Sequence, residues 1–511
     1  SYGGVERFWT ISKEESGDKR LFANWQVIVY KISYEIKGGE IESVNPTTYT
    51  IEDDIILNLP YKTGYNGSWN NNGKISKGST GDILFTAEYT PIVYTISYDC
   101  GDGSNNPLNP TEYTIESDVC ILEDAYYINA DFVEWQKDGI IIDMIPTGSY
   151  GDIALTAIWN PYDVKLELNT DGLTYTVVDL NTSKSAITMY SEQKKITNIA
   201  DKAFDGFGEI TCVVIGKDIT SIGAWAFANC KKLKDLTIPN GLTCIGECAF
   251  WGCVSITSIS IPDTVTYVGS STFWNCNIES AKTPAVGCKY IKNSSLKEIH
   301  ITSGVIDDNE FNKSSILSVT IGDDVSSIGD FAFSGCEELT SLSIGGKVNS
   351  IGLSAFANCT KLESITWDIE NCILEGAKYH NYIFRGCDSI KTIKIGSTVK
   401  SIPSSTFALC GGVVSVIIPD NVVSVGEYAF YSCKDLTNVT IGRGVTSIGN
   451  NAFEACVELS SITIGDKVEF IGNFAFSSCE KLAIVIISIN LISVGQFAFD
   501  GCDQLYTVYY M

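Results

Sequence analysis

The sequence repeats itself every 23 residues across 201–511. The phrase A-F-x-x-C occurs in AFANC (226–230) and in AFWGC (249–253), and its cysteine keeps the 23-residue spacing within each of three groups. Around each cysteine the pattern reads V-x-x-I-G-x-x-A-F-x-x-C-x-x-L-x-x-I-x-I. A fixed period of this length indicates a chain built from stacked structural repeats. The eleven cysteines in this register are Cys230, Cys253, Cys276, Cys336, Cys359, Cys387, Cys410, Cys433, Cys456, Cys479 and Cys502.

Each repeat predicts one coil of a solenoid. The segment L-x-x-I-x-I reads as a short strand with alternate side chains turned inward, and the Gly or Pro after it turns the chain. The I-G-x-x-A-F segment returns the chain on the opposite side, where we expect a tight helical or 3₁₀ turn. Because one coil cannot bury its apolar side alone, neighbouring coils must stack. The pattern therefore predicts a leucine-rich-repeat solenoid, α/β or mainly β, with about 14 parallel strands between Ile210 and Tyr510.

The register of the cysteines breaks between Cys276 and Cys336, but the strand pattern continues. Two strand cores start at Leu296 and at Ile316, and IESAKTP (278–284) reads as a degenerate third core. We therefore expect one uninterrupted solenoid rather than a domain boundary here.

Residues 1–163 follow a longer repeat. The segment 30–93 aligns with 94–163, from YKISY and YTISY at their starts to GDILFTAEY and GDIALTAIW near their ends. The segment 1–29, with Trp9, matches only the end of this unit, and 164–200 reads as strands that cap the solenoid. The predicted organisation is thus a truncated unit at 1–29, two β-rich units at 30–93 and 94–163, a cap at 164–200, and a solenoid at 201–511.

Composition excludes several classes of function. The 35 basic and 61 acidic residues give a net charge of −26, and a polyanion is repelled by nucleic acids and anionic membranes. No apolar run approaches the roughly 18 residues that span a bilayer. Histidine is the commonest acid–base catalyst, and only His300 and His380 occur. We expect no enzyme, no catalytic residue, no cofactor, no metal site, no nucleic-acid partner and no transmembrane segment.

The repeated cysteines have three interpretations. Their position, three residues from an inward Phe and an inward Leu, predicts a buried column of free thiols that contact backbone carbonyls. Isolated disulfides between neighbouring coils and metal binding are the alternatives. Cys244 and Cys248 with Cys253 resemble a zinc motif but lack a fourth ligand. Cys100 and Cys120 replace Ile36 and Ile56 of the preceding unit, either as a disulfide or as two apolar substitutions.

Two surfaces of the predicted solenoid carry aromatic or apolar residues that the repeat does not require. On the return side of the coils these are Trp225, Trp251, Trp274 and Tyr431. On the outer face of the strands, where most residues are Ser, Thr or Lys, they are Ile417, Ile484, Ile486, Tyr506 and Tyr509. Such residues predict contacts with a protein partner, stacking on carbohydrate, or, at the C-terminal end, a missing cap or an oligomer contact. Packing between coils is the structural alternative for the tryptophans.

The repeat A-F-x-x-C-x-x-L-x-x-I-x-I resembles the BspA-like leucine-rich repeat. The units at 30–93 and 94–163, with Y-x-I-S-Y, N-P-T-x-Y-T-I and a closing G-D-I, resemble the Listeria–Bacteroides repeat, which is similar to the internalin B-repeat and implies a small β-grasp-like fold. These resemblances imply an extracellular or cell-surface, adhesin-like protein that binds host matrix proteins or other cells without catalysis. A carbohydrate-binding surface protein and a purely structural spacer are the alternatives. Since no signal or anchor is visible, we expect a fragment or a mature form.

Overall fold

The computed structural model describes residues 26–291, 295–374 and 382–510. The chain divides into two compact units, Ser1–Pro161 and Tyr162–Met511. The predicted truncated unit at 1–29 lies outside the described residues except for 26–29.

The described part of the first unit contains two larger β-sheets, one from each repeat, which share an order of four strands; the second sheet adds Ile140–Ile142 at its edge, and each repeat also has a separate two-stranded sheet. In both sheets the first long strand, Tyr30–Glu35 or Tyr94–Asp99, pairs in parallel with the last one, Ile83–Pro91 or Ile153–Pro161. Trp69 and Trp135 lie at equivalent places in the two cores. The β-grasp-like assignment stays a prediction. The remaining strands are Thr48–Tyr49, Ile55–Ile56, Tyr65–Trp69, Lys74–Ile75, Glu112–Tyr113, Cys120–Ile121, Ala130–Lys137, Ile140–Ile142 and Met144–Ile145, with a 3₁₀ turn at Asn70–Gly73.

The second unit is a solenoid with one parallel strand per coil on its first side, which confirms the predicted fold class. Each L-x-x-I-x-I segment forms this strand with its Ile side chains buried, as in Thr392–Ile395. A preceding strand, Ala186–Met189, pairs in parallel with the first of them. The fourteen strands are Cys212–Ile215, Asp235–Thr237, Ser258–Ser260, Ser280–Thr283, Glu298–Ile306, Ser318–Ile328, Ser341–Ile344, Ser364–Trp367, Thr392–Ile395, Ser415–Ile418, Asn438–Ile441, Ser461–Thr463, Ile484–Ile487 and Thr507–Tyr510.

The predicted tight turn at I-G-x-x-A-F is present, as in the bond from Ala249 N–H to Gly246 O at 3.4 Å, but the return side of such a coil begins with a strand and is not helical. The V-x-x-I segment forms a short strand in a second set of parallel pairs, because its backbone groups bond to the neighbouring coil instead of to their own turn: Gly246 N–H donates to Ile222 O at 2.8 Å. Two residues with positive φ follow in most of the described coils, such as Trp225 (59°) and Asn229 (60°). The strands of this second side are Val164–Leu168, Tyr175–Leu180, Ile196–Ile199, Ser221–Ile222, Cys244–Ile245, Tyr267–Val268, Ser350–Ile351, Ile373–Leu374, Ser401–Ile402, Ser424–Val425, Ser447–Ile448, Phe470–Ile471 and Ser493–Val494.

Stacked phenylalanines run along the core of the solenoid. One row runs from Phe204 to Phe273 and a second from Phe311 to Phe499, with ring centroids 5.0–6.2 Å apart and rings nearly parallel. Each ring contacts the equivalent ring of the next coil, so burial of one coil depends on its neighbours.

The two rows are separated where the cysteine register breaks. Here the helix Ala285–Ile291 stands on the return side, while the strands Ser280–Thr283, Glu298–Ile306 and Ser318–Ile328 continue the first side in register. The predicted continuity of the solenoid through 276–336 is therefore confirmed. Within the described residues, no helix has the length and apolar character needed to cross a membrane.

Candidate binding surfaces

The strand face, meaning the outward side of the fourteen strands, is a regular array of short side chains. Ser318, Ser341 and Ser364 lie in register, and the Ser341 hydroxyl lies 3.0 Å from that of Ser318. His300 lies on this face beside Lys282, and burial together with the Lys282 charge lowers the pKa of His300. His380 lies outside the described residues.

The C-terminal end of the strand face is apolar. Ile484, Ile486, Tyr506 and Tyr509 come together on the last two coils, because Ile486 lies in register with Tyr509. Tyr506 is 76% exposed, whereas the two isoleucines are half-buried. Ile417 is 67% exposed but lies apart from this group, since Thr440 and Thr463 occupy the intervening register positions.

The return flank, meaning the turns between the second-side strand and the column cysteine, carries the predicted tryptophans. The rings of Trp225 and Trp251 lie 5.9 Å apart in a tilted arrangement, so this pair packs between coils. Trp274, at the position equivalent to Trp251, is 51% exposed. Other coils have Ala228 or Ala357 at that position. The packing interpretation therefore applies to Trp225 and Trp251 more than to Trp274.

Tyr431 belongs to an aromatic cluster that the sequence analysis missed. Its ring stacks on Tyr382 at 6.4 Å and meets Tyr428 edge-on at 5.6 Å. Burial and the neighbouring tyrosines raise the pKa of Tyr382. Tyr382 and Tyr428 occupy the repeat position of Trp225, as do Phe474 and Phe497, which stack at 5.1 Å. Comparison of that one position across all coils would have singled out these four aromatic residues, but not the stacking of Tyr431 on Tyr382.

The structure places the repeated cysteines in a column beside the phenylalanines. Ten of them donate their thiol to the carbonyl of the Phe in the preceding coil, at S···O distances of 3.1–3.3 Å. All these thiols are free, as are Cys100 and Cys120. Burial raises the pKa of Cys433 and of Cys479 to about 12. A thiol that stays protonated is a poor nucleophile and a poor metal ligand.

In the described part of the chain, the cysteines and acidic residues outside the column do not converge on a metal site. Cys248 is buried and Cys244 is half-buried, both as free thiols. Among the residues that the structure describes, no group of three or more His, Cys, Asp or Glu side chains could hold a metal ion. Lysines instead pair with carboxylates one coil away, as in Lys361–Glu338 and Lys481–Glu458.

Comparison with known proteins identifies the repeat. The BspA type Leucine rich repeat region matches residues 182–302, 304–416 and 400–511 in six copies. The match begins inside the segment 164–200 predicted as a cap, and Ala186–Met189 indeed extends the first-side ladder. The comparison with curated proteins finds no match.

Solved structures of bacterial proteins are similar to this chain. A leucine rich cell surface protein from Faecalibacterium prausnitzii A2-165 is 28% identical over 69% of this chain and 94% of its own, with a TM-score of 0.30. A leucine-rich repeat protein from Bacteroides ovatus ATCC 8483 is 24% identical over 68% of this chain and 92% of its own, with a TM-score of 0.29. Since the repeat match covers more than half of the sequence, the chain belongs to the family that carries the BspA type leucine rich repeat region.

Proposed function

We propose that this chain is a non-enzymatic, extracellular or cell-surface binding protein that contacts a protein ligand through its strand face. The observation that carries the proposal is the apolar group Ile484, Ile486, Tyr506 and Tyr509, in which both tyrosines are exposed and both isoleucines half-buried, on a face where Ser, Thr and Lys otherwise predominate. Large aromatic side chains of this kind dominate the energy of many protein interfaces. The regular strand spacing holds them on a rigid surface, so little conformational entropy is lost on binding.

Affinity would build up from contacts on successive coils. The hydroxyl rows around Ser341 and Ser364 would supply hydrogen bonds further along the same face, and Ile417 with Val414 would provide a second apolar contact three coils before Ile486. When one rigid ligand spans several coils, its first contact holds it close to the others. The later contacts then form within the same complex, which raises the overall affinity. The ligands proposed are a matrix protein or a protein on another cell.

Replacing Tyr506 and Tyr509 together with Ala is expected to weaken binding to immobilised fibronectin or fibrinogen by at least about tenfold. Both rings are exposed, so the fold should be retained. Tyr190→Ala is the matched control, because Tyr190 is exposed but lies off the strand face, in the segment that precedes the first coils. Biolayer interferometry would measure all three proteins. Unchanged binding by the double variant contradicts the proposal, and no binding by any of them would favour a structural spacer.

Carbohydrate binding at the return flank is the second candidate function. It is favoured by the exposed indole of Trp274, which lies next to Asn275 on a coil where the repeat does not require an aromatic residue. Trp274→Ala is expected to abolish any signal on a glycan array, whereas Trp225→Ala, which removes a packed ring, should mainly lower stability. Equal loss in both variants would indicate unfolding and contradict a sugar site.

A further inference from the structure

The return side of the solenoid is interrupted beside the helix Ala285–Ile291. A six-stranded sheet that begins at Val164–Leu168 ends with the strand Tyr267–Val268. The following coil supplies the helix in place of a strand. Only the coil after it returns to an extended backbone on this side, at Val305 and Ile306. The strand Tyr267–Val268 is therefore the edge of its sheet.

The hydrogen bonds of the preceding coils show what this edge lacks. Thr243 and Gly246 each donate a backbone N–H to the coil before them, at N···O distances of 2.8 Å. Thr266 and Gly269 repeat the arrangement at 2.9 and 2.8 Å. By the same pattern, the next strand would donate to the carbonyl oxygens of Thr266 and Val268. Across the described ranges, no backbone N–H donates to either oxygen. An edge with unpaired carbonyls is a template for another strand.

A groove of about 560 Å³ runs along this edge. The strand Tyr267–Val268 forms one wall, Gly304 and Val305 form the other, and Val286 of the helix lies between them. Tyr267 is 55% exposed and Val305 is 54% exposed, so apolar side chains face the open groove from both walls. The groove thus combines free main-chain acceptors with apolar contacts.

The charged groups at the groove favour a basic ligand. Asp263 and Asp307 line it together with Lys289, and Lys282 and His300 lie near Asp263 outside the lining. Asp263 Oδ1 accepts hydrogen bonds from the hydroxyls of Thr302 and Ser303, at 2.5 and 2.6 Å. These bonds hold the carboxylate in place and lower the pKa of Asp263, so it is ionised at neutral pH.

We propose that this groove binds an extended peptide segment that carries a basic residue. The peptide adds a seventh strand to the six-stranded sheet and donates backbone N–H groups to the carbonyls of Thr266 and Val268. Its apolar side chains contact Tyr267 and Val305, and its basic side chain pairs with Asp263. Strand addition of this kind takes its affinity from main-chain hydrogen bonds and its specificity from alternate side chains. The groove lies on the return side, so it is independent of the strand-face ligand proposed above.

A random-peptide phage library selected on the intact chain tests the proposal. We expect the selected peptides to have the alternating side-chain pattern of an extended strand and to contain Lys or Arg. Tyr267→Lys is expected to weaken their binding at least about tenfold, as measured by fluorescence anisotropy with synthetic peptides. Phe470→Lys is the matched control and should leave binding unchanged. Phe470 is an exposed aromatic residue at the same repeat position, but its strand is paired on both sides.

Backbone N-methylation of the selected peptides gives a second readout. Strand addition predicts that methylation of alternate residues abolishes binding in one register and is tolerated in the other, because only every second N–H faces the edge. Asp263→Asn should reduce the preference for Lys or Arg. Failure to select any peptide, equal effects of Tyr267→Lys and Phe470→Lys, or insensitivity to N-methylation in both registers would each overturn the proposal.

Discussion

Raising the pH from 8 to 10.5 is expected to lower the free energy of unfolding of the solenoid by several kcal/mol. Burial raises the pKa of Cys230, Cys276, Cys433 and Cys479 from 9.0 to about 12 in the folded chain. In the unfolded chain these thiols ionise near pH 9, so above that pH the unfolded state binds fewer protons and stability falls. The stability that the protonated, buried thiols contribute to the folded chain is fully present below pH 9 and is lost as the pH rises towards 12. At pH 10.5 each thiol accounts for about 2 kcal/mol.

Denaturant unfolding under reducing conditions, at several pH values between 7.5 and 10.5, measures this effect. Cys433→Ala is the control, because it removes one titrating thiol. Above pH 9 the free energy of unfolding of this variant should fall less than that of the unchanged chain, with a difference of about 2 kcal/mol at pH 10.5. A free energy of unfolding that stays constant between pH 8 and 10.5 would rule out a column of buried, protonated thiols.

Phe333→Ala is expected to lower the free energy of unfolding by about 3–5 kcal/mol. The Phe333 ring is fully buried and stacks between Phe311 at 5.1 Å and Phe356 at 5.3 Å. Truncation removes both contacts and leaves a cavity between two coils. Because coils are stabilised mainly by their neighbours, the loss should spread to hydrogen exchange in the adjacent coils.

Phe331→Ala provides the comparison from two residues away in the same coil. Phe331 is 36% exposed and lies outside the ring stack, so its truncation should cost less than about 1 kcal/mol. Chemical denaturation followed by circular dichroism, with hydrogen exchange for the local effect, would distinguish the two variants. Equal losses would contradict the assignment of the stacked phenylalanines as the main contact between coils.

The inward residues of each coil could be predicted because the first-side strand turns alternate side chains inward, and this alternation of apolar and polar residues is visible locally in the sequence. Leu459, Ile462 and Ile464 follow the period, and all three are buried. The continuation of strands through 276–336 followed from the same alternation at Ile299 and Ile301. The low histidine content and net charge of −26 favour binding over catalysis, which stays a prediction.

The return side could not be predicted in the same way, since its backbone hydrogen bonds join residues of different coils. The bond between Gly246 N–H and Ile222 O crosses a full repeat, so local propensity for a helical turn does not decide its conformation. The tyrosine cluster was missed for a related reason: Tyr382 and Tyr431 stack although an intervening coil separates them in sequence.

By itself, the sequence determined the period, the inward faces of the strands and the stacking of coils, because each depends on apolar residues that recur at fixed intervals. Only the tertiary structure decided which exposed side chains meet: Ile486 beside Tyr509, Trp225 against Trp251, and the open edge at Tyr267–Val268. These arrangements depend on how each coil is placed on the next and on where the helix Ala285–Ile291 interrupts the stack. A repeat pattern describes what every coil shares, whereas the proposed sites depend on how particular coils differ.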